Sequence, residues 1–236
     1  MHSISYRLHT AKFPIHRDLA GFDFEHSKSD QGLITDLSDL SFTEAANNVV
    51  FIGGTDTGKT HLATALGVSG ITQHSKRVRF YSTVDLVNFL EQEKAAGKAG
   101  KLAFALMRMD LVILDDLSYV RRDQAETSVL FELIAERYER KSLALTANQP
   151  FSGWDQVFPD TAMTLAAVDR LVHHSTIFEL NVESYRRRAA ARGCAPVPLR
   201  STKASPRATA TTKATSKTAA KTKATTIANP RPTVSG

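Results

Sequence analysis

The chain has 236 residues, 42% of them hydrophobic, with 30 Lys and Arg against 24 Asp and Glu and a formal net charge of +6. Such a length suits one ordinary domain with an appended segment, and the apolar content excludes disorder throughout. One cysteine, Cys194, excludes an internal disulfide framework and fits a reducing cytoplasm; no run approaches the roughly 18 apolar residues of a membrane helix, and the N-terminal stretch MHSISYRLHTAKFP lacks the apolar core of an export signal.

Residues 1–47 form a lead-in with weak patterning, in which Phe13, Phe22 and Phe24 are the expected packing anchors. Asn48-Val-Val-Phe-Ile-Gly53 is a short apolar run ending in glycine and predicts a buried strand. A helix is expected from about Lys59 to Ile71, then a strand over Arg77–Tyr81 and a helix capped by Thr83 with Val84, Val87 and Leu90 on one face. Leu102–Met109 reads as a further helix, and the apolar Asp110–Asp115 as a central parallel strand. Residues 123–140 predict an amphipathic helix carrying Val129, Leu133, Ile134 and Tyr138. Ser142–Thr146 reads as the fourth strand, 160–173 as a helix and Thr176–Leu180 as the fifth strand. Strands alternating with helices imply a doubly wound α/β core over 48–194, a mostly parallel five-stranded sheet with its ligand at the carboxyl ends of the strands.

The charge is unevenly spread. Residues 195–236 carry eight basic residues and no acid, leaving 22 basic against 24 acidic residues, a net of −2, in 1–194. This Thr/Lys/Ala-rich stretch, with Thr-Lys-Ala at 202–204, 212–214 and 222–224, is too poor in apolar residues to offset chain entropy and predicts a disordered tail. Spaced lysines on a flexible chain suit loose contact with nucleic-acid phosphates; a solvated extension without a role is the alternative. Arg186, Arg187, Arg188 and Arg192 form a denser basic cluster just before it, a second candidate phosphate contact.

Gly53-Gly54-Thr55-Asp56-Thr57-Gly58-Lys59-Thr60 fits G-x-x-x-x-G-K-[ST], after an expected strand and at the head of an expected helix. Glycines let successive N–H groups point at a phosphate, and the helix adds its positive end. Lys59 would reach the outer phosphates of ATP and Thr60 would ligate Mg²⁺. Asp56 is an acid in a loop built for anions, weakening nucleotide binding if its side chain turns inward. Asp115, ending an apolar strand, fits the carboxylate that such a site needs beside magnesium, and Asp116 is placed to polarise the attacking water. Asn148, after the fourth strand, is a candidate γ-phosphate sensor. Arg170 is a candidate arginine finger toward a neighbouring subunit, with a salt bridge to Asp169 as the alternative. His173 and His174, adjacent on the expected helix, would point apart and make a poor metal pair.

Together these residues resemble the IstB-like ATPases, transposition helpers of the AAA+ class. The resemblance runs from about Tyr6 to Gly193 through Ala11-Lys-Phe-Pro, Gly21-Phe-Asp-Phe, the phosphate loop, Asp85-Leu-Val-Asn88, Glu91-Gln-Glu-Lys-Ala-Ala-Gly97, Asp110-Leu-Val-Ile-Leu-Asp-Asp-Leu, Tyr138-Glu-Arg140, Asp169-Arg-Leu-Val-His-His174 and Glu183-Ser-Tyr-Arg186. It implies a P-loop AAA+ core, ATP-dependent homo-oligomers on double-stranded DNA and activation of a partner transposase of the same mobile element. Replicative helicase loaders of the DnaC type share that core and are an alternative reading, as is a non-hydrolysing ATP- and DNA-binding module. The chain departs from the family pattern in starting close to the core rather than with a helical N-terminal domain, in Asp56 where a small residue is usual, in Asp116 where Glu is common, and in its basic tail.

Overall fold

The computed structural model describes residues 3–27, 29–117, 124–156 and 160–180. Expectations for the basic cluster 186–192 and for the tail lie outside these residues.

Five strands, β1 (Asn48–Gly53), β2 (Val78–Ser82), β3 (Leu111–Asp115), β4 (Ser142–Ala147) and β5 (Ser175–Leu180), form one sheet in the order β2-β3-β4-β1-β5. Every pairing is parallel. After β1 the chain crosses to the far edge of the sheet through α4 (Lys59–Thr72), then steps back strand by strand. Because parallel crossovers are right-handed, that reversal puts α4 on one face and the later helices on the other. Those are α5 (Thr83–Ala95), α6 (Lys101–Leu106), α7 (Gln124–Arg137) and α8 (Thr161–Val172).

Side chains alternate along each strand between the two faces, so both must be apolar. Val49 and Phe51 join Leu62 and Leu66 of α4 in one cluster, while Val50 and Ile52 join Leu86, Leu133, Trp154 and Leu171 in the other. Continuous apolar runs such as Leu111–Leu114 are what this two-sided burial demands, and all four of these residues are fully buried.

The lead-in adds three short helices, α1 (Ile4–Ala11), α2 (Phe24–Ser27) and α3 (Gln31–Leu37). Ser3 and Asp30 cap α1 and α3 by accepting N–H bonds from Tyr6 and Leu33. Ala11, Ile34, Leu37, Leu40 and Phe42 are buried in the same cluster as α4, with Phe13, Phe22 and Phe24 packed against it. Gly67 permits the approach: a Cβ there would lie 2.9 Å from the Phe13 ring and from Ile113.

One expected cap moves by a residue. Ser82, not Thr83, caps α5, its hydroxyl accepting the Asp85 N–H at 3.1 Å. Extended backbone at residue 82 (ψ 143) makes it the half-in position, and Thr83 is already helical. The Thr83 hydroxyl instead donates to the Asp115 carbonyl at 2.9 Å, tying α5 to the end of β3.

Arg137, the last residue of α7, is fully buried and donates to the carbonyls of Leu106 and Ser142, each at 2.6 Å. Burial pulls its guanidinium down to about 10, with Asp110 opposing. Those bonds join α6, α7 and β4. Arg137→Met should lower unfolding free energy by about 2–4 kcal/mol, since it removes two buried charge-assisted bonds; the Leu106 carbonyl then keeps only the Met109 N–H, at 2.9 Å. Urea denaturation of the full chain measures this; an unchanged midpoint would show that the bolt contributes nothing.

Candidate functional site

The loop between β1 and α4 turns through two left-handed residues, Asp56 (φ 62) and Gly58 (φ 96). At Gly58 the requirement is double, because a Cβ would also come within 2.5 Å of the Phe22 ring. No side chain caps α4, so its first N–H groups face the loop as an anion would require. Lys59, only 6% exposed, lays its Nζ across the loop and donates to the carbonyls of Gly53 (2.8 Å) and Gly54 (2.6 Å). Burial lowers its ammonium below the ordinary value, while Asp116, Asp115 and Asp56 push it back up.

The acids stand opposite, at the end of β3, beside the end of β4. Asp115 Oδ1 accepts from the Thr60 hydroxyl at 2.8 Å and from the Thr146 hydroxyl at 2.6 Å. Asp116 turns the other way, its backbone left-handed at φ 65, and accepts from Asn148 Nδ2 at 2.9 Å. Burial and the neighbouring Asp115 raise the Asp116 carboxyl above the usual range, with Lys59 opposing. Loop, acids and amide line one cleft of about 700 Å³, a volume ordinary for small-molecule sites.

Of the residues singled out from sequence, Thr55 to Thr60, Asp115, Asp116 and Asn148 line this cleft, and Gly53 and Gly54 lie beneath it through the Lys59 bonds. Asp56 faces the cleft, near enough to Lys59 to affect its proton affinity. Thr60 and Asp115 offer hard oxygen donors side by side, which fits Mg²⁺. Arg170 is not brought here. Its Nη1 donates to the Ala166 carbonyl at 2.8 Å and its guanidinium lies 5.3 Å from the Phe131 ring centroid.

Two contributions escaped the sequence reading. The lead-in supplies one wall of the cleft through Pro14, Ile15, Arg17, Phe22 and His26. Only the aromatic anchors gave any signal of that, and they read as packing. Thr146 reads from sequence as an ordinary strand residue. The histidines need correction too. His173 caps α8 and His174 lies beyond it at φ 59, so the helical assumption fails and the rings meet with centroids 3.9 Å apart. Tyr138 bonds His173 Nδ1 at 2.6 Å, and Glu139, His173 and His174 bring candidate ligand atoms within 4.8 Å of one another on the exposed surface.

The family model for IstB-like ATP-binding proteins matches residues 1–193. The chain belongs to the IstB-like ATP-binding family. An insertion-sequence ATP-binding protein of Sinorhizobium fredii is 57% identical over 143 residues, 61% of this chain and 48% of that protein. One of Geobacillus stearothermophilus is 36% identical over 79% of this chain and 74% of its own length. This IstB-like chain thus spans about half of the first relative and three quarters of the second. Among solved structures, the DnaC helicase loader aligns at TM-score 0.55 and 19% identity over 64% of this chain and 86% of its own. AMPPCP-bound DnaA from Aquifex aeolicus aligns at TM-score 0.60 and 16% identity over 77% of this chain and 54% of its own. These likenesses show an AAA+ P-loop fold.

Asp56 sets a test specific to this IstB-like loop. Asp56→Asn removes the charge but keeps a residue that tolerates the left-handed backbone. ATP affinity, measured by calorimetry at low salt, should rise about three- to tenfold, and the gain should shrink as salt is added. Unchanged affinity would mean that the carboxylate does not oppose the phosphates.

Proposed function

We propose that the chain binds ATP with Mg²⁺ in this cleft, hydrolyses it to ADP and phosphate, and acts as a helper that oligomerises on double-stranded DNA to activate a transposase. The observation that carries the reading is the juxtaposition of Lys59 and Thr60 with Asp115, Asp116 and Asn148 in one cleft. Family membership and the source of its relatives in insertion sequences support the nucleotide and the mobile-element setting.

Residues Gly53 to Gly58 wrap the phosphates with backbone N–H groups, and Lys59 exchanges its two loop carbonyls for phosphate oxygens. Thr60 and Asp115 would hold magnesium, which would supply charge that neutralises the phosphates. Water attacks the γ-phosphorus as the bond to the β-phosphate oxygen breaks, and its proton passes to Asp116. A raised carboxyl pKa suits that acceptor, and the Asn148 amide at 2.9 Å fixes its orientation. The one-methylene deficit of Asp against Glu is offset by this anchoring. Arg170, remote from its own cleft, is available to a neighbouring subunit's nucleotide. The basic cluster 186–192 and the lysine-spaced tail would supply salt-dependent DNA contact. A cytoplasmic setting agrees with the single cysteine, and among the described residues no helix is long and apolar enough to cross a membrane.

Lys59→Ala should abolish ATP binding or reduce turnover at least a hundredfold, with DNA present or absent; turnover equal to the parent would defeat the assignment. The pH profile follows from Asp116. A base works only when ionised, so the rate should rise with pH through a pKa above the ordinary carboxylate range. Asp116→Asn should remove that acidic limb along with most of the activity. A limb retained in that variant would assign it to another group.

A further inference from the structure

Thr146 stands on β4 at the carboxyl edge of the sheet and is only 1% exposed. A threonine hydroxyl has one proton to give and lone pairs to accept with. Here the proton goes to Asp115 Oδ1 at 2.6 Å, so the Asp116 N–H, 2.8 Å away, must be the group donating to the hydroxyl. One oxygen therefore holds the side chain of the first acid and the backbone of the second. The two acids part from that point, Asp115 toward Thr60 at 2.8 Å and Asp116 toward Asn148 at 2.9 Å.

The parting needs a restraint. Asp116 sits at φ 65, a conformation unfavourable for a residue with a Cβ. With Asp116 relaxed to ordinary strand backbone, its side chain would leave Asn148 and the cleft. Its N–H bond to Thr146 opposes that relaxation. The bond to Asp115 leaves the second carboxylate oxygen of that residue free of this hydroxyl, available to a cation. Val or Ala at 146 would fill the strand equally well, so a hydroxyl buried there is explained by its two partners.

We propose that Thr146 is a positioning residue for hydrolysis, its hydroxyl holding the magnesium ligand Asp115 and the base Asp116 in divergent orientations. This rests on the ATPase reading above. Its hydroxyl is taken up by these two partners, so it acts through the two acids.

Two substitutions separate hydroxyl from packing. Thr146→Ser keeps the oxygen and loses the methyl, and Thr146→Val keeps the shape and loses the oxygen. In the full chain, serine should retain kcat within about threefold, and valine should lower it tenfold or more with KM for ATP within about threefold. The valine variant should also need severalfold more Mn²⁺ for half-saturation of its ATP complex, read by electron paramagnetic resonance. Equal kcat in the two variants, or a loss confined to serine, would overturn the proposal. Should the parent chain prove unable to hydrolyse ATP, the ATPase reading falls; the Mn²⁺ titration still decides for Thr146, equal half-saturation in both variants overturning its role. If valine fails to fold, Thr146→Ala against Thr146→Ser makes the same one-oxygen comparison, both lacking the methyl.

Discussion

Parallel register among β1, β3 and β4 is the constraint on which the rest of the molecule depends. Phe51 pairs with Thr146, Leu114 with Leu145, and Ser82 of the outer strand with Asp115. With strands running the same way, the phosphate loop leaving β1, the acids ending β3 and the amide beyond β4 all emerge at one edge. A slip of one residue in β3 would turn Asp115 to the opposite face and break both of its hydroxyl bonds. Apolar burial on both faces holds that register, so the energy that fixes the geometry of the cleft is spread through the core rather than concentrated in the cleft.

Within the cleft, charge is arranged against itself. Three carboxylates, Asp56, Asp115 and Asp116, stand near a single buried ammonium, and each acts on its proton affinity. With this surplus of carboxylate beside Lys59, an anionic nucleotide would gain from a cation bound with it. Local strain sits in the same place, with Asp56 and Asp116 both left-handed. Strain at these positions survives because the loop is closed by Lys59 and Thr57 bonds and Asp116 is pinned by Thr146.

Much of this was legible in the residues. Sequence patterning placed all five strands to within a residue, and the apolar runs of β1, β3 and β4 were plainest because buried parallel strands have no polar face to blur the pattern. The loop and acid motifs were legible for a related reason, since phosphate contact restricts residue type at fixed spacing. What stayed hidden depended on tertiary approach. Nothing in the lead-in signals that Phe22 will pack beneath Gly58, and Thr146 has the propensity of any strand residue until Asp115 and Asp116 are seen beside it. His173 and His174 misled because helix spacing was assumed past the true end of α8, where a single left-handed residue reverses the direction of a side chain.

A crystal structure of the full chain with a non-hydrolysable ATP analogue and Mg²⁺ tests the central claim most directly. The account predicts phosphate oxygens within hydrogen-bonding reach of Lys59 Nζ and the loop N–H groups, with the cation held beside Thr60 and Asp115. Nucleotide bound elsewhere, or phosphates in this cleft with Lys59 still bonded to Gly53 and Gly54, would contradict it.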